Sequence, residues 1–386
     1  MKASVLVVAE QLRRKVPGGI GRYASALLDG LMVLAADQEV PEVSLLASRP
    51  RPAAADPLAR WGLPVRTSRL PGPLLTRGWD HGVVRAPAGF DVVHAVSTAA
   101  PPIRRSGHGR SGRRRQALVV TVHDTVWRRF PEATTPRGRR WHEAALRRAL
   151  RRADVLLVTS AEAAGELRAA GAPDGSVSVL RWGTDHLPPP DSAGAQALLR
   201  RLGVDGPYLL TASTREPRKN LHRLVAGYRL ARPSLPDPWP LVVVGPLGWG
   251  ADALGSDGGQ DGPPPEGVVA AGLVTDEILA GLYRGARAFA YVPLAEGYGL
   301  PPLEAMTFGV PVVASTGVPS VVSHAAAPSA LRVDPMDADA IGEALVAAAV
   351  DESLRTTLSA RGRALVAGRT WREAARWHTD LWGSLV

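Results

Sequence analysis

Short apolar runs rich in β-branched residues recur along the chain, each followed by a stretch whose apolar positions return at helical spacing. In the N-terminal half, Ser4–Val8, Val43–Ala47, Val92–Ala95, Leu118–Val122 and Val155–Thr159 read as strands. They are nearly continuous in apolar character, as strands covered on both faces must be. Helical spacing marks Arg22–Leu34, Arg139–Arg152 and Ala161–Ala170. The second half repeats the theme, with strands predicted at Tyr208–Ala212, Leu241–Val244, Val268–Ala270, Ala288–Val292 and Val310–Ala314. Its helices are predicted near Leu221–Ala231, Asp276–Arg284, Leu303–Phe308, Asp337–Val350 and Glu352–Ala367. Strands separated by helices predict an α/β fold with parallel sheets wound on both faces, and two such series predict two tandem Rossmann-like domains. LPPPDSAG, Leu187–Gly194, reads as a linker, Arg104–Gln116 as a loop and Ala251–Gly267 as an irregular insertion. The expected division is a domain over 1–187, a linker over 188–195, a domain over 196–368 and a terminal helix within 369–386.

Composition narrows the classes. The 386 residues, 45% hydrophobic and 21% charged, suit two globular domains. The absence of cysteine excludes disulfides, a thiolate nucleophile and a cysteine metal site. No apolar run approaches the ~20 residues of a bilayer span, and MKASVLVVAEQLRRK reads as a first strand, not a signal peptide. A soluble, cytoplasmic protein is expected. Charge is uneven: Pro101–Arg152 holds fifteen Arg against three acids, a net of +12, whereas the whole chain carries +10. Lysine occurs only at Lys2, Lys15 and Lys219, which makes a lysine inside a motif more telling.

The densest chemistry lies in AYVPLAEGYGLPPLEAMTFGVPVVAS, Ala290–Ser315. Glu296 leaves the carboxyl end of a predicted strand; Gly297 and Gly299 free the backbone, and Pro301 and Pro302 fit a helix's first turn. Glu304 falls just inside that helix, and the backbone N–H groups between the two carboxylates suit an anion. Gly18-Gly19-Ile20-Gly21-Arg22-Tyr23 opens a helix after the first strand, without the spacing of the dinucleotide fingerprint. In Glu216-Pro217-Arg218-Lys219-Asn220, two cations precede a helix N-terminus, against the helix dipole. A bound diphosphate would explain them. His123 follows a strand in TVHDT, with Asp124 beside it. Asp337-Ala338-Asp339 could be a metal pair, but it precedes a helix and capping explains it better.

The string EGYGLPPLEAM, with Glu296 and Glu304 eight residues apart, closely resembles the signature of family 4 retaining glycosyltransferases. EPRKN and GGIGRY resemble motifs of the same family, EPRKN that of its mannosyltransferase-like members. The resemblance implies the GT-B fold, two doubly wound domains facing a central cleft, with the last helix, here Trp371–Trp382, crossing back to the first domain. It implies that Glu296 lies against the donor sugar and Glu304 holds the ribose. Gly297, Tyr298, Gly299 and Leu300 would line the donor, Arg218 and Lys219 grip its diphosphate, and Gly18, Gly19 and Gly21 close on the phosphates. His123 would sit near the reacting sugar. His123, Arg218, Lys219 and Glu296 are thus the candidate catalytic set, with no resident cofactor and no metal. Two departures stand out: Ser213-Thr214 replaces a glycine-containing pair, and Ser320 follows Pro319 where a glutamate is usual.

The expected reaction moves a sugar from a nucleotide-diphosphate donor to a glycan, lipid-linked or small-molecule acceptor. EPRKN favours GDP-mannose, with a UDP-sugar the alternative. The resemblance implies that the second domain binds the nucleotide sugar and the first the acceptor, whose site is expected mostly within Pro50–Gly89 and Arg104–Gln116. A same-fold epimerase would need no acceptor, and EGYGLPPLEAM disfavours it. The Arg-rich stretch 104–152 combines a helix end suited to cations with a candidate contact to an anionic membrane at its inner face. A non-catalytic membrane- or nucleic-acid-binding protein is the rival of another class. Nucleic acid is not expected, because no aromatics interleave with the arginines.

Overall fold

The computed structural model describes residues 2–14, 17–50, 55–104, 115–237, 239–248, 264–322 and 328–386. Most of the loop expected at 104–116 and of the insertion expected at 251–267 lies outside them. The chain divides into two compact units, Met1–Gly183 with Arg369–Val386, and Thr184–Gly368.

In the first unit seven strands form one parallel sheet: β1 (Ser4–Val8), β2 (Glu42–Ala47), β3 (Val65–Thr67), β4 (Val92–Ala95), β5 (Ala117–Val122), β6 (Val155–Val158) and β7 (Val177–Val179). Their order is β3-β2-β1-β4-β5-β6-β7. The order reverses between β1 and β4, which are paired from Val5 opposite Val92 to Val8 opposite Ala95. The second unit holds β8 (Leu209–Ala212), β9 (Leu241–Val244), β10 (Val268–Gly272), β11 (Ala288–Tyr291), β12 (Val312–Ser315) and β13 (Leu331–Val333). Its order, β10-β9-β8-β11-β12-β13, reverses between β8 and β11. In open sheets of this kind ligands bind beyond the strands' carboxyl ends at the reversal.

Burial on both faces explains the apolar runs. In β8, Leu210 and Ala212 pack with Tyr283 and Phe289 on one face, while Leu209 packs with Leu224, Tyr228 and Ile341 on the other. Successive side chains of a strand point to opposite faces, so neither face can be polar. Three of the four edge strands, β3, β7 and β13, were not expected. Each is three residues long with partly exposed side chains, so no apolar run announces it.

The segment 188–195, expected to be a linker, is corrected. Asp191 accepts a hydrogen bond from Gly194 N (2.8 Å) and caps the helix Ser192–Arg201, which belongs to the second unit. That helix packs on Asp276–Gly285, where a side chain at Gly281 would strike the Asp191 carbonyl. The last helix, Trp371–Gly383, belongs to the first unit and lies against Gly18–Ala35. Gly30 and Gly183 leave room for the Trp371 backbone.

Candidate active site

In the second unit, the two strands at the reversal deliver the candidate residues. After β8 the chain reaches a tight turn, Pro217–Lys219, closed by Asn220 in the left-handed region (φ 59°). Fully buried, Asn220 donates from Nδ2 to Val292 O (2.9 Å) and Pro335 O (2.8 Å). Arg218 O accepts from Leu294 N (3.0 Å). The turn that carries the cations is thereby tied to the loop that carries Glu296.

Glu296 Oε1 accepts from Arg218 Nη1 (2.7 Å), from Tyr291 OH (2.9 Å) and from Lys219 Nζ. Lys219 also donates to Tyr291 OH (2.9 Å), and Arg218 Nη2 donates to Glu216 (2.9 Å). Burial alone would raise the Glu296 carboxyl, but Arg218 and Lys219 outweigh it and hold its pKa at about 2. Burial and Arg218 push Lys219 down, against the pull of Glu296 and Glu216. Burial, with Glu296 close by, pushes Tyr291 well up, so it serves as a neutral donor. Two cations face two carboxylates in a site largely shielded from water, where charge-assisted bonds are strongest.

The helix Leu300–Thr307 begins after Gly299 (φ 93°), with prolines in its first turn. A side chain at 299 would strike Val318, and Ser320 donates to the Gly299 carbonyl. Ser320 N also bonds Tyr298 O (2.9 Å). The serine found where a glutamate was usual thus braces the passage Gly297–Leu300. Glu304, 3% exposed, accepts from Tyr283 OH (2.9 Å) and meets His186 Nε2 (2.9 Å). A ribose hydroxyl reaching Glu304 would have to share a carboxylate that these two side chains already engage.

In the first unit, His123 follows β5. Its Nε2 lies 2.7 Å from Val96 O and therefore carries the proton, which leaves Nδ1 as an acceptor in the neutral ring. Burial keeps His123 below its ordinary pKa, with Val96 and Asp124 opposing weakly. Asp124 itself accepts from Val126 N (3.2 Å). Tyr23 packs edge-on to His123 (5.2 Å between centroids), and its hydroxyl meets His378 Nε2 (2.9 Å) on the terminal helix. Because His378 Nδ1 donates to Ala374 O (2.7 Å), Tyr23 is the donor to Nε2. Gly18 and Gly19 face open space, whereas Gly21 packs directly on Pro17.

The structure thus joins Arg218, Lys219 and Glu296 in one cluster and places Glu304 in another. Asp337 caps its helix by accepting from Ala340 N (3.0 Å). Among the described residues no three His, Asp or Glu side chains group as metal ligands. No helix among them is long and apolar enough to cross a membrane. The residues that sequence reasoning missed are Asn220, Tyr291, Tyr283 and His186. Tyr291 carried a signal, as the polar-tipped residue within an otherwise apolar predicted strand.

Two family models match the chain, "Glycosyltransferase Family 4" over residues 17–187 and "Glycosyl transferases group 1" over 200–365. O-antigen chain mannosyltransferase B of Escherichia coli is 33% identical over 267 residues, 67% of this chain and 68% of that protein. A GDP-mannose-dependent alpha-(1-6)-phosphatidylinositol monomannoside mannosyltransferase of Mycobacterium tuberculosis is 29% identical over 300 residues, 73% of this chain and 71% of that one. Among solved structures, sucrose-phosphate synthase from Thermosynechococcus elongatus superposes with a TM-score of 0.72 at 20% identity, covering 100% of this chain and 99% of that one. That likeness shows the two-domain α/β fold called GT-B.

Proposed function

The chain belongs to glycosyltransferase family 4, and from that premise we propose that it transfers mannose from GDP-mannose with retention of configuration and without a metal ion. The acceptor is a glycan, a lipid-linked sugar or a small molecule. One observation carries the reading: Arg218, Lys219 and Glu296 converge beyond β8 and β11, where the second sheet reverses its order.

The chemistry follows from charge. As the glycosidic bond of the donor breaks, the leaving diphosphate gains negative charge. Arg218 offers a planar fork and Lys219 a point charge to its oxygens, stabilising what develops in the transition state. Glu296 stays ionised at all physiological pH values and accepts from hydroxyls of the mannosyl group. As the diphosphate draws Arg218 and Lys219 toward it, the carboxylate's lone pairs turn to those hydroxyls. Glu304 takes the ribose. In the first unit His123, neutral, offers Nδ1 to a substrate hydroxyl. The two cations supply the neutralisation that a divalent ion supplies in other transferases. The names of the two mannosyltransferase relatives support mannose as the sugar, and the second supports GDP-mannose as the donor.

The test is calorimetric titration of the purified chain with GDP and with UDP, without added metal. Preferential GDP binding is expected. Preferential UDP binding would overturn the donor, and binding of neither would overturn the site.

A further inference from the structure

The acceptor is left open above, and a cavity in the first unit narrows it. Beyond the carboxyl ends of β1 and β2 lies a concavity of about 1270 Å3. Part of its charge is already matched. Arg13 is held by Asp56 and the Ser48 carbonyl, and Asp80 accepts from Trp141 Nε1 (2.8 Å) and from Arg148. Four lining guanidinium groups, Arg14, Arg49, Arg77 and Arg137, have neither an ion pair nor a hydrogen bond with any described residue.

The same cavity holds a carboxylate of the opposite character. Glu10, two residues past β1 and only 6% exposed, accepts from Ser48 N (2.6 Å) through Oε2. Its Oε1 accepts no bond from a described residue, and it occupies the space that a side chain at Gly72 would fill. Trp141 adds an aromatic surface, edge-on to His142 (4.9 Å between centroids). A buried carboxylate with a spare oxygen suits a sugar hydroxyl, and an indole suits a pyranose face. Unmatched guanidinium groups suit phosphoryl oxygens, which they can grip two at a time.

We propose that this cavity receives the acceptor, and that the acceptor is a phosphate-bearing sugar. Its ring hydroxyls meet Glu10, and its phosphate meets Arg49, Arg77 and their neighbours. The assignment rests on the glycosyl-transfer reading above. The phosphate can belong to a lipid headgroup or to a soluble sugar phosphate.

The experiment follows the indole N–H resonance of Trp141, identified with Trp141→Phe, while the full chain is titrated with mannose 1-phosphate and with mannose. The phosphorylated sugar is expected to shift the resonance with a Kd at least tenfold below that of mannose. Arg49→Gln/Arg77→Gln should weaken it a further tenfold or more. Both side chains are exposed and unpartnered, so the thermal midpoint of this variant should match the parent's. Equal responses to the two sugars, no response to either, or an unchanged Kd in the folded variant would overturn the proposal. Co-sedimentation with phosphatidylinositol vesicles, lost in the same variant, would assign the phosphate to a lipid. Its absence beside an intact Trp141 response would assign it to a soluble sugar. Because Trp141 reports on this cavity alone, failure here is separable from failure of GDP binding, which would strike the donor site.

Discussion

Replacing Lys219 with alanine isolates the charge on which the donor assignment depends. The ammonium is 11% exposed and donates to Glu296 and Tyr291. Removing it leaves Glu296 with Arg218 at 2.7 Å and Tyr291 at 2.9 Å, so no buried carboxylate is abandoned. The fold should therefore survive. On the ligand side, one charge-assisted bond to a diphosphate is lost, about 1.5–3 kcal/mol. At about 1.4 kcal/mol per decade, that is a roughly ten- to hundredfold weaker Kd for GDP. The lower end is favoured, because in the unliganded protein Lys219 already has partners and binding exchanges one acceptor for another. Calorimetry of GDP against both proteins reads the effect, with guanosine as control. Guanosine has no phosphate and should bind both alike. Unchanged GDP affinity in a folded variant, or an equal loss for guanosine, would refute the reasoning.

Three further outcomes are expected. Glu296 has a folded pKa of about 2 against 4.5 for an ordinary glutamate. Its ionisation therefore contributes stability that is complete above pH 4.5 and is lost as pH falls through 2. At most about 3 kcal/mol is involved. In urea unfolding, the stability of wild type relative to Glu296→Gln should fall between pH 6 and pH 3; a constant difference would contradict the assignment. Asn220→Ala removes two hydrogen bonds and puts alanine in the left-handed region, for a loss of about 2–4 kcal/mol in the same assay. Tyr23→Phe leaves the buried His378 Nε2 without its donor and should cost about 1–3 kcal/mol, read as a lower urea midpoint; an unchanged midpoint would mean another donor reaches His378.

What could be read from the sequence was whatever leaves a one-dimensional trace. Strands buried on both faces, such as Ser4–Val8 and Leu241–Val244, print as unbroken apolar runs, and the structure holds both with those bounds. The cations of EPRKN and the carboxylate of EGYGLPPLEAM stood out because each lay between a strand and a helix. Edge strands three residues long leave no such trace. Nor did the helix Ser192–Arg201, because the prolines before it read as a linker while its cap, Asp191, looked like one more turn residue. The partners of the site were hidden for another reason. Tyr283 and Tyr291 sit in a predicted helix and a predicted strand, where a periodicity reading assigns aromatics to the core, and His186 stands in a polar stretch directly before the predicted linker. Only the fold brings them within 3 Å of Glu296 and Glu304. Asn220 was visible as a letter, but its two acceptors lie 72 and 115 residues away.

The helix Trp371–Gly383 lies in the stretch Arg369–Val386, which completes a unit whose remaining residues end at Gly183. During synthesis, all of Thr184–Gly368 leaves the ribosome before that helix does. Domains ordinarily fold in the order in which they emerge, but here the first to emerge cannot finish first. Until the tail arrives, Tyr23 lacks the imidazole it donates to, and the groove at Gly30 and Gly183 lacks Trp371. The nascent first unit must wait with that face uncovered. Ribosome-stalled chains ending before residue 369 should therefore be open to protease near Gly18–Ala35, and released full-length chains should not.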